Sequence, residues 1–281
     1  MTAETITSTT EGPLAIVRLE RESHLNAFTY EMIAAIRSKV FAAADDPAVG
    51  AIAITGNGRA FSAGLDMQTL ARTSAGERDD SRPADDELPS LFGFLPNVPK
   101  PVIAAVNGVA AGGGFVLAMM CDLRFAAEGA TFTTAFSRRG LIAEHATAFV
   151  LPRLVGLNRA LDLLWSARRF DAAEAYRIGF VDRVVPGDAL LDEVRAYAAD
   201  LAANVAPRSI ATIKRQVYAG LSQAMDESVA EGNRWIAASL SHPDLAEGVA
   251  SFVERRPPKF TPLGDDDRPP SPATRIHLGD A

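Results

Sequence analysis

The chain of 281 residues contains one cysteine, Cys121, so no intrachain disulfide can form and no cysteine-built metal site can be assembled. The residues before it, 117–120, are apolar, which marks a buried thiol rather than a nucleophile. A reducing, cytoplasmic compartment is therefore expected. Histidine is scarce too, with four in the chain, and His24, His242 and His277 share no spacing with acids or the cysteine, so no metal site is expected. The opening MTAETITSTTEG has neither a basic nor an apolar run, which argues against a signal peptide. Positive charge is in deficit, 28 Lys and Arg against 35 Asp and Glu, and a net charge of -7 argues against nucleic acid or an anionic membrane as partner. One long stretch, residues 102–121, lacks charge. Asn107 and the glycines at 108, 112, 113 and 114 break it, so a strand, a glycine loop and a buried helix are expected there instead of a membrane span. No dinucleotide fingerprint and no P-loop is present.

What the chain does have is an ordinary globular balance, 48% hydrophobic and 22% charged, and enough length for one large domain with a real core. Short runs rich in branched residues predict strands at 14–19, 50–55, 101–106 and 123–126. Residues 28–44 carry Met32, Ile33, Ile36, Val40 and Phe41 at helical spacing, with Thr29 and Glu31 placed to cap the start. Strands alternating with helices indicate parallel βαβ units with ligand chemistry at their loops. Beyond 150 the pattern turns helical, at 158–166, 172–178, 189–204, 207–220 and 225–238. Residues 71–89 are polar and predict a mobile insertion or a short surface helix, and 263–281, rich in proline and aspartate, a loose tail.

Two glycine loops follow strands directly. In the first, residues 56–67 (GNGRAFSAGLDM), small side chains at 62–64 let a ligand approach the main chain. In the second, residues 107–114 (NGVAAGGG), three glycines open an apolar helix and leave N–H groups pointing outward. Either loop alone is a tight turn. Together, two N–H donors from separate loops can converge on one oxygen as an oxyanion hole, which favours removal of the α-proton of a thioester. Ser62 has no base at a recognisable spacing, so it is not read as a nucleophile.

The segments FSAGLD (61–66) and GGGFVLAMMCD (112–122) resemble the two signatures of the enoyl-CoA hydratase/isomerase (crotonase) family. The resemblance extends from about 14 to 260 and includes LNA at 25–27, AYRIGFVDRVV at 175–185 and GVASFVER at 248–255. It implies an α/β fold: a crotonase (ClpP-like) ββα-spiral core over 1–200 and a helical C-terminal part over 201–262 for oligomerisation and contact with the coenzyme A adenine. It also implies an acyl-CoA thioester substrate, no separate cofactor, and a homotrimer or homohexamer. By position, the oxyanion donors would be the N–H groups of Leu65 and Gly113. His24, Leu25, Ala27, Ala63, Asp66 and Met67 would contact coenzyme A, with Phe252 and Lys259 near the adenine.

The family's hydratases use two glutamates around a water molecule. The matching positions here are Val116 and Phe136, so that arrangement is absent, and these two residues are expected to wall the acyl pocket. An acid does stand four residues after Gly140, at Glu144, where some enoyl-CoA isomerases of the family carry their proton-shuttling glutamate. One carboxylate in an apolar pocket suits a 1,3-proton shift, because the same base can return the proton two carbons along. The alternative for Glu144 is capping the next helix or pairing with Arg138 or Arg139, and Arg138–Arg139 suits a surface ion pair or contact with a polar acyl group. His145 is read as a packing or solvent-facing residue, or as one acting beside Glu144. Single-acid isomerisation through Glu144 is the favoured reading. Hydration by non-standard acids, and a silent acyl-CoA-binding protein, remain open beside it.

Overall fold

The structure is a computed structural model, which describes residues 4–76 and 90–264. Strands β1 (Ile6–Glu11) and β2 (Leu14–Leu19) form an antiparallel hairpin, the first of which the sequence pattern did not disclose. Helix α1 (Tyr30–Asp45) follows, and the Thr29 hydroxyl accepts from the Met32 N–H at 3.3 Å, the cap expected from the sequence.

Three ββα units come next. They comprise β3 (Ala51–Gly56), β4 (Ala60–Ser62) and α2 (Met67–Ser74); β5 (Val102–Val106), β6 (Val109–Ala111) and α3 (Gly113–Met120); and β7 (Leu123–Ala127), β8 (Thr131–Thr133) and α4 (Thr147–Val155). The first strand of each unit joins a six-stranded sheet, and the second strand joins a four-stranded one. Helix α5 (Leu157–Ser166), β9 (Phe170–Asp171), α6 (Ala172–Arg177) and β10 (Arg183–Val185) complete both sheets, in the orders β1-β2-β3-β5-β7-β10 and β4-β6-β8-β9. Every pair from β2 to β10 in the larger sheet is parallel. The expected βαβ units are thus ββα units. The second strands are three residues each, too short for a hydrophobic period to reveal.

The larger sheet is covered on both faces, which is why β2, β3 and β5 read as unbroken apolar runs. Ala15, Val17, Ile52, Ile54, Val102 and Ala104 face the main core with α1 and α3. Leu14, Ile16, Ala51, Ala53, Ile103 and Ala105 face a second cluster closed by Leu190, Val194 and Ala198 of α7 (Leu190–Asn204).

The last helices are α8 (Pro207–Gly220), α9 (Met225–Leu240) and α10 (Pro243–Glu254). Helix α8 is tied to the core by a buried polar knot. Lys214 Nζ donates to Asp122 Oδ2 (2.6 Å) and to the carbonyls of Leu95 and Lys100 (3.1 Å each), and the Tyr218 hydroxyl donates to Asp122 Oδ1 (2.9 Å). Asp122 also accepts the Val102 N–H, and Asp182 accepts that of Arg124, so both acids hold strand ends. Burial pushes the Lys214 ammonium down while Asp122 pulls it back up. Burial and then the Asp122 charge push the Tyr218 phenol up. Tyr218→Phe removes a hydrogen bond to a charged acceptor and is expected to cost about 2 kcal/mol, read from the urea midpoint with an unchanged m-value.

Cys121 is buried, as expected, and burial pushes its thiol up. Among the described residues no helix is long and apolar enough to cross a membrane. Of the expected polar insertion, residues 71–74 belong to α2 and 77–89 lie outside the described residues, as does most of the expected tail, 265–281.

Candidate active site

Strands β4, β6 and β8 are parallel neighbours, so the chain leaves all three at the same edge of the smaller sheet. The loops that leave them, 63–66, 112 and 134–146, meet around one cavity of about 770 Å³. Leu65 comes from the first loop, Gly113 from the helix start after the second, and Glu144 from the third; all three line the cavity.

The first two present amides. Phe28 donates its N–H to the Gly64 carbonyl (2.7 Å) and accepts the Asp66 N–H (2.8 Å), forming a parallel bridge opposite Leu65. In such a bridge the N–H of the middle residue, Leu65, turns away from its partner strand. Gly113 opens α3, where the first N–H groups have no intrahelical acceptor. A methyl built on Gly113 would lie 3.4 Å from the Leu65 nitrogen, and one on Gly64 would lie 2.8 Å from the Gly113 nitrogen, so the two amides are close neighbours. That proximity requires glycine at 64, whose φ is +94°.

Two asparagines fix the first loop, and both donate to the Ala60 carbonyl. Asn26, fully buried, donates from Nδ2 to the carbonyls of Asn57 (2.9 Å) and Ala60 (2.8 Å), and its Oδ1 accepts the Arg21 N–H (3.0 Å). Asn107 accepts the Gly56 N–H (3.1 Å) and donates to the Gly58 carbonyl (2.9 Å). Ser62 donates to the Asn26 carbonyl (2.7 Å) and accepts the Gly64 N–H (3.1 Å), so its hydroxyl serves the loop.

His24, Leu25, Ala27, Ala63, Asp66 and Met67 all line the cavity, so the structure brings the expected contact residues of the first half of the chain together. Asp66 has a structural engagement as well: Oδ2 takes the Arg21 guanidinium at 2.6 Å and Oδ1 takes the Gln68 N–H at 2.8 Å, at the start of α2. Burial raises its carboxyl, but the bond from Arg21, the Gln68 N–H and the Arg21 charge outweigh it and hold the carboxyl below the usual range. A depressed folded-state value means that its stabilisation is complete above the unfolded value near ~4 and is lost as pH falls through the folded one. Arg21→Met is expected to cost about 1–3 kcal/mol at neutral pH. The gap from wild type should narrow below about pH 4 in urea titrations.

On the third loop, Phe136 lines the cavity beside Ala135, Leu141 and Glu144. Val116, the other expected wall, does not: it is fully buried in the main core and absent from the cavity surface. The first turn of α3 exposes the amide of Gly113 and turns the valine side chain inward. Glu144 is half-buried, and its Oε2 lies 3.7 Å from His145 Nε2. Helix α4 has Ala146 at its N-cap with no cap from that side chain, and the Glu144 carbonyl accepts the Thr147 N–H (3.1 Å). Arg138 donates to the Ser166 carbonyl (2.9 Å), whereas Arg139 lines the cavity. Tyr30, Leu70 and Leu91 also line it, and sequence reasoning missed them because a helix start, a polar insertion and a hydrophobic turn carry no ligand signal.

Phe252 and Lys259 are not brought to this cavity in the chain. Phe252 lies within α10, a helix the sequence pattern did not separate; it is 85% exposed and borders a second cavity of about 500 Å³ with Arg208, His242 and Phe260. Lys259 is exposed beyond that helix.

The family model described as enoyl-CoA hydratase/isomerase matches residues 9–262. The chain belongs to the enoyl-CoA hydratase/isomerase family. A Mycobacterium bovis relative named a probable enoyl-CoA hydratase is 37% identical over 265 residues, covering 93% of this chain and 99% of the relative. A Thermus thermophilus relative named as an enoyl-CoA hydratase, without firm assignment, is 34% identical, covering 89% and 98%. Among solved structures, an enoyl-CoA hydratase from Polaromonas superposes with a TM-score of 0.84 at 31% identity, covering 91% of this chain and 99% of that one. A Geobacillus kaustophilus hydratase subunit gives 0.82 at 34% identity, covering 92% and 98%. The fold is therefore the crotonase fold with C-terminal helices, and the protein is an acyl-CoA enzyme of this family.

Proposed function

We propose that this enzyme isomerises the double bond of an enoyl-CoA thioester, with Glu144 as its single proton carrier. The observation that carries the reading is the shared cavity: Glu144 lines it together with Leu65 and Gly113, while the two usual acid positions hold Val116 and Phe136. The thioester oxygen sits between the Leu65 and Gly113 amides, each contributing on the order of 3 kcal/mol to enolate stability. Glu144 takes a proton from C2 of a 3-enoyl thioester, and the dienolate collapses as the same proton returns to C4. Phe136 and Leu141 keep water from the carbanion. His24, Leu25, Ala27, Ala63 and Met67 hold the coenzyme A portion, and no cofactor is needed beyond it.

Phe252 and Lys259 serve the adenine of a neighbouring subunit in a homotrimer or homohexamer. The exposed apolar residues of α9 and α10, Met225 (84%), Leu240 (64%), Phe252 and Val253 (72%), support a covered face there. In this division of labour, residues 1–200 hold the chemistry and 201–262 the assembly, in the cytoplasm, with no nucleic-acid or membrane partner. Turnover of 3-enoyl-CoA to 2-enoyl-CoA across several chain lengths tests the reading. No conversion at any length, with the protein folded, sinks it.

A further inference from the structure

The third loop carries a cation as well as an acid. Residues Ser137–Arg139 form a single 3₁₀ turn between two left-handed residues, Ala135 (φ +61°) and Gly140 (φ +71°). The Phe136 carbonyl accepts the N–H groups of Arg139 (2.9 Å) and Leu141 (3.0 Å), which closes the turn on itself. Ser137 Oγ donates to the Trp165 carbonyl and Arg138 Nε to the Ser166 carbonyl, at 2.9 Å each. Both acceptors belong to the last turn of α5, whose carbonyls have no intrahelical partner. Successive side chains of a 3₁₀ turn stand about 120° apart. With Ser137 and Arg138 spent on α5, Arg139 takes the remaining side and lines the cavity beside Phe136, Leu141 and Glu144.

A guanidinium has five N–H donors. Arg139 places Nη1 3.5 Å from the Ala135 carbonyl, at the outer limit of a hydrogen bond. Glu144, the acid on the same loop, lies against His145 instead. The nearest wall residues, Ala135, Phe136 and Leu141, are apolar. The other arginines of the region belong to the opposite loop. Arg59 stands on the first glycine loop, and Arg21 is taken up by Asp66. An alkyl chain laid along the third loop would strip water from a permanent charge and return no bond to it. A carboxylate there would accept two parallel bonds from the guanidinium, and the cation would offset its repulsion from Glu144.

We propose that Arg139 selects the acyl group, and that the substrate is a coenzyme A thioester whose acyl chain carries a carboxylate beyond C4. The inference rests on the function proposed above only for the direction of the chain, which runs from the Leu65 and Gly113 amides past Glu144. The double bond then shifts at one end of the acyl group while Arg139 holds the other.

Arg139→Met and Arg139→Gln test this, since both remove the charge at an exposed position. Saturated coenzyme A thioesters of equal chain length, ending in methyl or in carboxylate, are titrated by calorimetry into wild type and both variants. Values of kcat/KM for the matching 3-enoyl thioesters are measured beside them. Wild type is expected to bind the carboxylated ligand at least ~10-fold more tightly at one chain length or more. Both variants should lower that preference by about 10–100-fold, with free coenzyme A bound as in wild type. A wild type without the preference at any length overturns the proposal. So does a preference that survives either substitution, or an equal weakening of both ligands, which marks a packing role. Weaker binding of free coenzyme A in the variants also overturns it, by placing Arg139 on the phosphates. A carboxylate preference in binding without any isomerisation supports the role of Arg139 and sinks the isomerase reading instead.

Discussion

Glu144→Gln is expected to lower kcat for double-bond isomerisation by about 10²–10⁴-fold while leaving KM within a few-fold of wild type, because the variant keeps the shape and loses the base. The physical case lies in how little else on the wall can do the work. Asp66 faces the same cavity, but it is bound to Arg21 at 2.6 Å and held in its charged form by a helix start. Positions 116 and 136, where a second acid would stand, are Val and Phe. A catalytic carboxylate acts only in the transition state here, so its loss belongs in kcat rather than in binding. Coenzyme A affinity, measured by calorimetry, should be unchanged. A variant that still turns over at near wild-type rates would place the base elsewhere.

Gly64→Ala should damage the site from the opposite side. The added methyl would stand 2.6 Å from the Ala111 carbonyl oxygen and 2.8 Å from the Gly113 nitrogen, both backbone atoms of the second glycine loop. The residue also has φ +94°, where a side chain is strained whatever the space. The two loops must then part, and the Leu65 and Gly113 amides no longer share one oxygen. Loss of one aligned donor costs about 10²–10³ in kcat. A stability loss of roughly 2–4 kcal/mol is expected with it, from strain and the forced contact together. Gly12→Ala is the control: φ is +58° there too, with nothing within 4 Å of the added methyl. It should cost about 1 kcal/mol and leave kcat unchanged. Equal losses of activity in the two variants would mean that strain alone, and not the meeting of the loops, explains the effect.

The elements legible in the sequence were those whose burial repeats. Strands β2, β3 and β5 show as apolar runs because both their faces are covered, and α1 shows as a stripe with a threonine cap. The short strands β4, β6 and β8 did not show, because three residues carry no measurable period. Without them the second sheet, and the ββα repeat itself, stay hidden. In the site, the glycine loops stood out because close backbone approach demands glycine. Tyr30, Leu70 and Leu91 did not, since their role depends on what folds opposite them. Val116 failed as a pocket wall because its place in the first turn of α3 aims it into the core, which the sequence alone does not orient.

The residues themselves determined the class of this protein: two glycine loops after strands, the family's segments in order, and valine and phenylalanine where two acids would stand. They also put Glu144 forward, by its distance from Gly140. Only the tertiary structure brought the loops from β4, β6 and β8 to one sheet edge, so that Leu65, Gly113 and Glu144 share a cavity although nearly eighty residues separate the first from the last. It also turned His145 toward Glu144, through a left-handed backbone that no propensity would predict for histidine and alanine. Composition and spacing act locally along the chain; convergence comes from parallel strand pairing, which joins segments distant in sequence.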